Sequence, residues 1–130
     1  MKKFLKRLGI FFLVLIVLTG VMALYGTFGL KQALNLTTHP VDLSQISDGT
    51  YNGSYNSYRW STKVEVTVSN HKITEIKKIK IQQGRDSLVN NLIDEIITKQ
   101  STNIDAVSGA TASSNCFLKA VENALSNDSN

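Results

Sequence analysis

Apolar and polar positions follow three different patterns in three stretches of this 130-residue chain. The first is a run without a formal charge, Leu8 to Leu30, reading LGIFFLVLIVLTGVMALYGTFGL. Rising about 1.5 Å per residue, a helix over it spans about 34 Å, enough for a hydrocarbon core of about 30 Å. Backbone groups in lipid must be satisfied within the segment, so a transmembrane helix is the form expected for residues 8–30. Lys2, Lys3, Lys6 and Arg7 precede the run, and only Lys31 follows it closely. That asymmetry puts the basic head, 1–7, in the cytoplasm and the rest of the chain on the extracytoplasmic side. Val21-Met22-Ala23 offers small residues as a cleavage site would, so a signal peptide is the alternative. The run is longer than an ordinary signal core and continues past that site, which favours an anchor. Either way the remainder is exported.

The second pattern is alternation. Residues 31–46 come first, with the only proline and little periodicity, and read as a linker that holds a domain off the membrane and can continue the helix at its start. His39, before Pro40, is expected to be solvated there. Asp48-Gly49 and Asn52-Gly53 are turn signals around Tyr51, Tyr55 and Tyr58. Lys63 to Val68 alternates strictly, with Val64, Val66 and Val68 on one face, as a half-buried strand does. Asn70-His71 is a two-residue turn candidate. Ile73 to Ile81 is the next strand, and its alternation slips near Lys77-Lys78 as it would at a bulge. A first strand over roughly Gly49 to Tyr55 completes a meander.

The third pattern is helical. Gln82-Gln83-Gly84 breaks the sheet, and Leu88, Val89, Leu92, Ile93, Ile96 and Ile97 then form one apolar stripe, with Asp86 or Ser87 as the cap. A second helix over about Ala112 to Ser126 places Cys116, Phe117, Ala120, Val121, Ala124 and Leu125 on one side. The expected fold is α+β, a small antiparallel sheet of three to four strands with two helices packed on it, over residues 47–126. One N-terminal transmembrane helix precedes it, and a polar, frayed tail, 127–130, follows.

Composition removes several functions. The formal net charge is +4, but the head alone supplies four positives, so the other 14 − 4 = 10 Lys/Arg balance the 10 Asp/Glu. The basic balance therefore describes the head and not a surface for nucleic acid. The Lys77, Lys78, Lys80 cluster reads as a solvated strand edge, with docking of an acidic partner as its alternative. The single cysteine, Cys116, excludes an intrachain disulfide and a thiolate metal cage, and reads as a buried small hydrophobe. His39 and His71 lack ligand spacing, so no metal site is read, and His71 is expected to be a turn residue only. An exported part of about 100 residues supports one small core and no two-domain enzyme.

The segment with chemistry in it lies between the helices: Ile104-Asp105-Ala106-Val107-Ser108-Gly109-Ala110-Thr111-Ala112-Ser113-Ser114. Small residues and a glycine lead directly into a helix. Free amides of Ala112, Ser113 and Ser114, with the positive end of the helix dipole, would seat a phosphate. By itself the pattern also fits an ordinary N-cap.

Asp105-x-x-Ser108-Gly109-Ala110-Thr111 resembles the flavinylation motif of the FMN-binding domain family, with every defining position present. That family includes flavin-carrying subunits of the sodium-pumping NADH:quinone reductase and of the Rnf complex, and many small membrane-anchored proteins. Asp48 to Gly53 looks like the family's opening strand and turn, Val64 to Ile76 like its strand, Asn/Gly turn and Ile-containing strand, and Ala120 to Leu125 like its closing helix. The resemblance implies FMN attached covalently through a phosphoester to the Thr111 hydroxyl. It implies a separate flavin transferase that uses FAD and a divalent metal and releases AMP. Ser108 and Gly109 would then shape the turn that exposes the Thr111 hydroxyl, Ala110 would leave room beside it, and Asp105 would fix that turn or be read by the transferase. Tyr51, Tyr55, Tyr58 and Trp60 are candidates for a wall stacked on the flavin, against plain filling of a sheet face; Lys77, Lys78 and Lys80 are candidates to stabilise its reduced anion.

The function expected is an extracytoplasmic, membrane-anchored electron carrier more than a self-contained enzyme. It would accept electrons from a membrane reductase or quinol-linked donor and pass them to a downstream acceptor. The alternatives are a flavin-carrying subunit of a larger membrane redox complex, a protein with dissociable FMN, and a flavin-free exported binding module.

Overall fold

The computed structural model describes residues 1–126, and the tail expected to fray, 127–130, lies outside them. Helix α1 spans Lys2–Thr27, so the basic head continues the apolar run as helix. None of its residues is buried, and among the described residues it belongs to the one helical stretch long and apolar enough to cross a membrane. The helix stops at Phe28, and Gly29 turns the chain with φ +80° before the short helix α2, Leu30–Leu34.

Three antiparallel strands follow in the order β1 (Gly49–Tyr55), β2 (Thr62–Ser69) and β3 (Lys72–Lys80). Val64, Val66 and Val68 are buried, while Lys63, Glu65 and Thr67 face outward, so one sheet face is dry and the other wet. Asn70 and His71 both take left-handed φ values, 51° and 60°, as the type I′ turn of a two-residue hairpin requires. His71 does more than turn the chain, because its Nδ1 lies 3.0 Å from the Ile46 carbonyl and 3.2 Å from that of Leu43. The β2–β3 register shifts between Lys63 and Val64 and between Thr67 and Val68, and Ile79 is left exposed. This is the slip in alternation expected near Lys77-Lys78.

Asn52-Gly53 is not a turn. Gly53 lies inside β1 opposite Val64, where helix α4 (Thr111–Ser126) crosses the strand. A Cβ there would run into the Ala120 carbonyl and the backbone and side chain of Ala124, so the glycine serves close packing. Asn123 fastens the same contact by donating to the Ser54 carbonyl at 2.9 Å. Helix α3, Asp86–Lys99, begins after Arg85 without a side-chain cap, so neither Asp86 nor Ser87 caps it. Asp86 instead accepts from Lys78 Nζ at 3.0 Å, and Asn90 accepts from the same amine at 2.8 Å. Lys78 is therefore bound to α3 and is not a solvated edge residue.

The core joins Val64, Val66, Val68, Ile73 and Ile76 of the sheet to Val89, Leu92 and Ile96 of α3 and the apolar face of α4. Phe117, 1% exposed, is the largest fully buried side chain. Phe117→Ala is expected to cost about 3–5 kcal/mol in chemical denaturation of the domain.

The stretch 31–46 does not stand off as a stalk. Leu30, Ala33 and Leu36 find apolar partners in Trp60, Ala112 and Cys116, which outweighs the polar character of the residues between them. Asn115 Nδ2 donates to the carbonyls of Ala33 and Leu34 at 3.0 and 3.3 Å. Further on, the His39 amide donates to Glu122 Oε2 at 3.0 Å and the Thr102 hydroxyl to the His39 carbonyl at 3.2 Å. The His39 ring itself stays exposed, as expected.

Candidate functional site

The loop before α4 is a closed turn. The Ala110 amide donates to the Val107 carbonyl at 3.0 Å, and Gly109 between them sits at φ +80° with open space about it. Glycine is needed there for its conformation, since no neighbour crowds the position. Ser114 locks the turn to the helix: its hydroxyl accepts from the Val107 amide at 3.1 Å and donates to the Ala110 carbonyl at 2.9 Å. The Ser114 amide also donates to Ala110 O, at 3.0 Å. Ser114 is thus a staple, and its amide is not available to an anion as expected. The donors that the helix leaves without an intrahelical acceptor are the amides of Thr111, Ala112 and Ser113. Thr111 is half-buried, Ala112 and Ser113 are buried, and Ser108 is exposed. Asp105 is exposed as well, and its carboxylate makes no hydrogen bond among the described residues, so it does not fix the turn.

Thr111 lines a cleft of about 280 Å³ together with Gly109, Ala110, Ala112 and Ser113 of its own segment and Leu34, Trp60 and Arg85 from elsewhere in the chain. A second cleft of about 450 Å³ adjoins it, with Trp60, Arg85 and Ser113 shared and Arg59, Gln82 and Gln83 added. The charged residues of both linings are arginines, so the pair of clefts is cationic. Arg85 forms no ion pair among the described residues, whereas the Arg59 guanidinium lies 4.7 Å from the Trp60 ring centre as a cation–π contact. Gln82 is held in place by donating to the Ser61 carbonyl and the Thr62 hydroxyl, both at 3.1 Å. The Trp60 indole N–H is buried with no hydrogen-bond partner among the described residues.

The four aromatic residues that are candidates for a flavin wall are dispersed. Only Trp60 reaches the clefts; Tyr55 packs against the same cluster, Tyr51 donates to the Ser47 carbonyl at 2.6 Å, and Tyr58 packs on Tyr25 and Phe28. Of the lysine cluster, whose candidate role at the flavin is secondary to a strand edge, Lys77 pairs with Glu65 at 3.6 Å and Lys78 with α3, and neither lines the clefts. The cations at the clefts are Arg59 and Arg85, which sequence spacing does not connect to Thr111. Cys116 lies beneath, 0% exposed, and burial pushes its thiol from 9.0 up to about 12. Iodoacetamide at pH 8 is expected to leave it unmodified in the folded protein and to label it fully in denaturant. Because the folded thiol titrates higher than the unfolded one, its contribution to stability is whole below about pH 9 and declines as pH rises toward 12.

The model of the FMN-binding domain family matches residues 58–126. The chain belongs to that family. No match was found among curated proteins or among solved structures. The matched region carries Trp60, Arg85 and the whole Asp105–Ser114 segment, while β1 lies before it although it pairs with β2 along its full length. The domain is therefore a flavin-binding module with FMN as its cofactor. The residues present suit that group: first-turn amides and arginines for a phosphate, and a tryptophan face for an aromatic ring.

Proposed function

We propose that the protein carries FMN covalently, as a phosphoester on Thr111, and relays electrons on the extracytoplasmic face of a membrane. The observation that supports this most is the position of Thr111, a half-buried hydroxyl at a helix N-terminus that opens on a cationic cleft beside Trp60. A flavin transferase would supply the FMN unit from FAD: the Thr111 oxygen attacks the phosphorus, the bond to AMP breaks, and the hydroxyl proton is lost. The phosphodiester so formed keeps one negative charge. The amides of Thr111, Ala112 and Ser113 and the guanidinium of Arg85 are placed to stabilise it.

When bound, the isoalloxazine supplies reversible two-electron or stepwise one-electron chemistry, and the protein orients it and sets its potential. Arg59 and Arg85 favour added negative charge on the reduced ring, and Trp60 limits its freedom. Covalent attachment also suits an exported domain, which has no cytoplasmic flavin pool to refill a dissociable site. The basic head supports the orientation, with the N-terminus in the cytoplasm. The electron donor is proposed to be a membrane reductase or a quinol-linked system, and the acceptor a second carrier or an external oxidant.

Membranes that hold the flavin-loaded full-length chain test the relay. Adding the host membrane's respiratory donor is expected to bleach the flavin absorbance, and an oxidant added outside is expected to restore it. A flavin that dithionite bleaches but no membrane donor reduces would remove the relay and leave flavin binding.

A further inference from the structure

We infer that the flavin domain is docked on the bilayer surface by an aromatic clasp, with its cleft at the level of the lipid headgroups. This rests on α1 being a membrane span. Leu8 to Thr27 as helix extends about 30 Å and so uses up the hydrocarbon core, which leaves Tyr25 to Gly29 at its outer boundary. The headgroup layer above that boundary is about 5–8 Å thick, taking the difference between core and full bilayer.

The domain reaches down to this depth. Tyr58 meets Tyr25 edge-on at 6.2 Å and stacks on Phe28 at 5.5 Å. Arg59 lies alongside the last turn of α1, its Nη1 3.7 Å from where a Cβ on Gly26 would sit. Gly29 packs directly on Ser57 and Tyr58. The turn that presents these residues is fastened from several sides. The Trp60 amide donates to Ser57 O at 2.8 Å, and the Ser61 hydroxyl donates to Tyr58 O at 2.8 Å. Tyr58 is held there at φ +49°, a left-handed conformation unusual for a tyrosine.

Tyr25, Phe28 and Tyr58 remain 52%, 51% and 58% exposed, next to a helix none of whose residues is buried. The patch is therefore continuous with the lipid-facing surface of α1, and that continuity identifies lipid as the occupant. Tyrosines at the end of a span and an arginine that can reach phosphates are what a headgroup layer favours. The intervening chain cannot lift the domain away, since Ala33 and Leu34 are bonded to Asn115 of α4. Trp60 follows Arg59 and lines the cleft of Thr111, so docking would set the flavin within reach of a donor resident in the membrane.

Trp60 is the only tryptophan and serves as the reporter. The full-length chain in its flavin-free form is inserted into phosphatidylcholine/phosphatidylglycerol vesicles with a nitroxide on the lipid headgroup, and insertion is checked by flotation. More than half of the tryptophan emission is expected to be quenched. A variant with Tyr58→Asn, which tolerates the left-handed φ, and about ten Gly/Ser residues inserted after Thr27, spanning about 17 Å, should lose most of that quenching with unchanged circular dichroism. Floating vesicles with unquenched Trp60 would overturn docking while leaving the anchor intact, and quenching unchanged in the variant would overturn the clasp. A chain that fails to float would overturn the anchor and docking together.

Discussion

Thr111→Ala is expected to abolish covalent flavin loading in cells that contain an active flavin transferase, and Thr111→Ser to retain part of it. Alanine removes the Thr111 hydroxyl together with its methyl, and the nearby Ser114 hydroxyl, engaged by Val107 and Ala110, is not free to take its place. The loss should be chemical and not structural. Thr111 is half-buried and its hydroxyl makes no hydrogen bond among the described residues, so stability should change by less than about 0.5 kcal/mol. Flavin fluorescence of the denatured gel band, read beside the melting curve of the same variant, separates the two effects. Asp105→Ala belongs in the same experiment. Its carboxylate interacts with Lys99 only through charge and makes no hydrogen bond among the described residues, so a drop in loading at unchanged stability would mark Asp105 as a residue the transferase reads, and full loading would remove it from the motif's chemistry.

Gly53→Ala is the substitution expected to damage the fold most for its size. One methyl group would meet the Ala120 carbonyl and the Ala124 backbone, which belong to a helix and cannot swing aside as a flexible side chain would. Overpacking of this kind costs about 3 kcal/mol or more. For a domain of this size that corresponds to a fall in Tm on the order of 10 °C or more. Because α4 also carries Thr111 on its first turn, a displaced helix should reduce flavin loading in parallel. A Gly53→Ala protein that melts within a degree or two of wild type would show that α4 sits farther from β1 than described. By contrast, Gly109→Ala meets no neighbour and should cost about 1 kcal/mol through its positive φ alone.

The fold was largely legible because its elements follow regular periods. Val64, Val66 and Val68 declare a strand by alternation, and the stripes on α3 and α4 declare helices. Asn70-His71 was readable as a turn because the residues flanking it are strands on both sides. Asn52-Gly53 was misread since a glycine needed for close helix packing and one needed for a turn look alike in sequence. The stretch after Leu30 read as a stalk because its polar residues hide how well Ala33 and Leu36 fit Cys116 and Ala112, partners more than seventy positions away.

The candidate site divides in the same way. The loop that holds Thr111 is local, so Gly109 and the helix start were visible as a motif. Its walls come from other parts of the chain. Arg85 follows the Gln82-Gln83-Gly84 breaker with no signal of its own, and Trp60 reads as one of four aromatic residues on a sheet. The β1–β2 pairing brings Trp60 to Thr111, the β2–β3 pairing brings Arg85, and α4 closes on both; neither residue carries a periodic signal of that proximity. Tyr58 went the other way, because a left-handed turn aims it at α1 and away from the cleft.

The measurement that bears most directly on flavin attachment is the intact mass of the full-length chain, produced with and without a co-expressed flavin transferase and followed by peptide mapping. A transferase-dependent gain of one FMN less water, carried by the peptide that contains Thr111, is the result expected. An unchanged mass, with the transferase shown to be active on another substrate, or a gain that maps to a different peptide, would contradict Thr111 as the site.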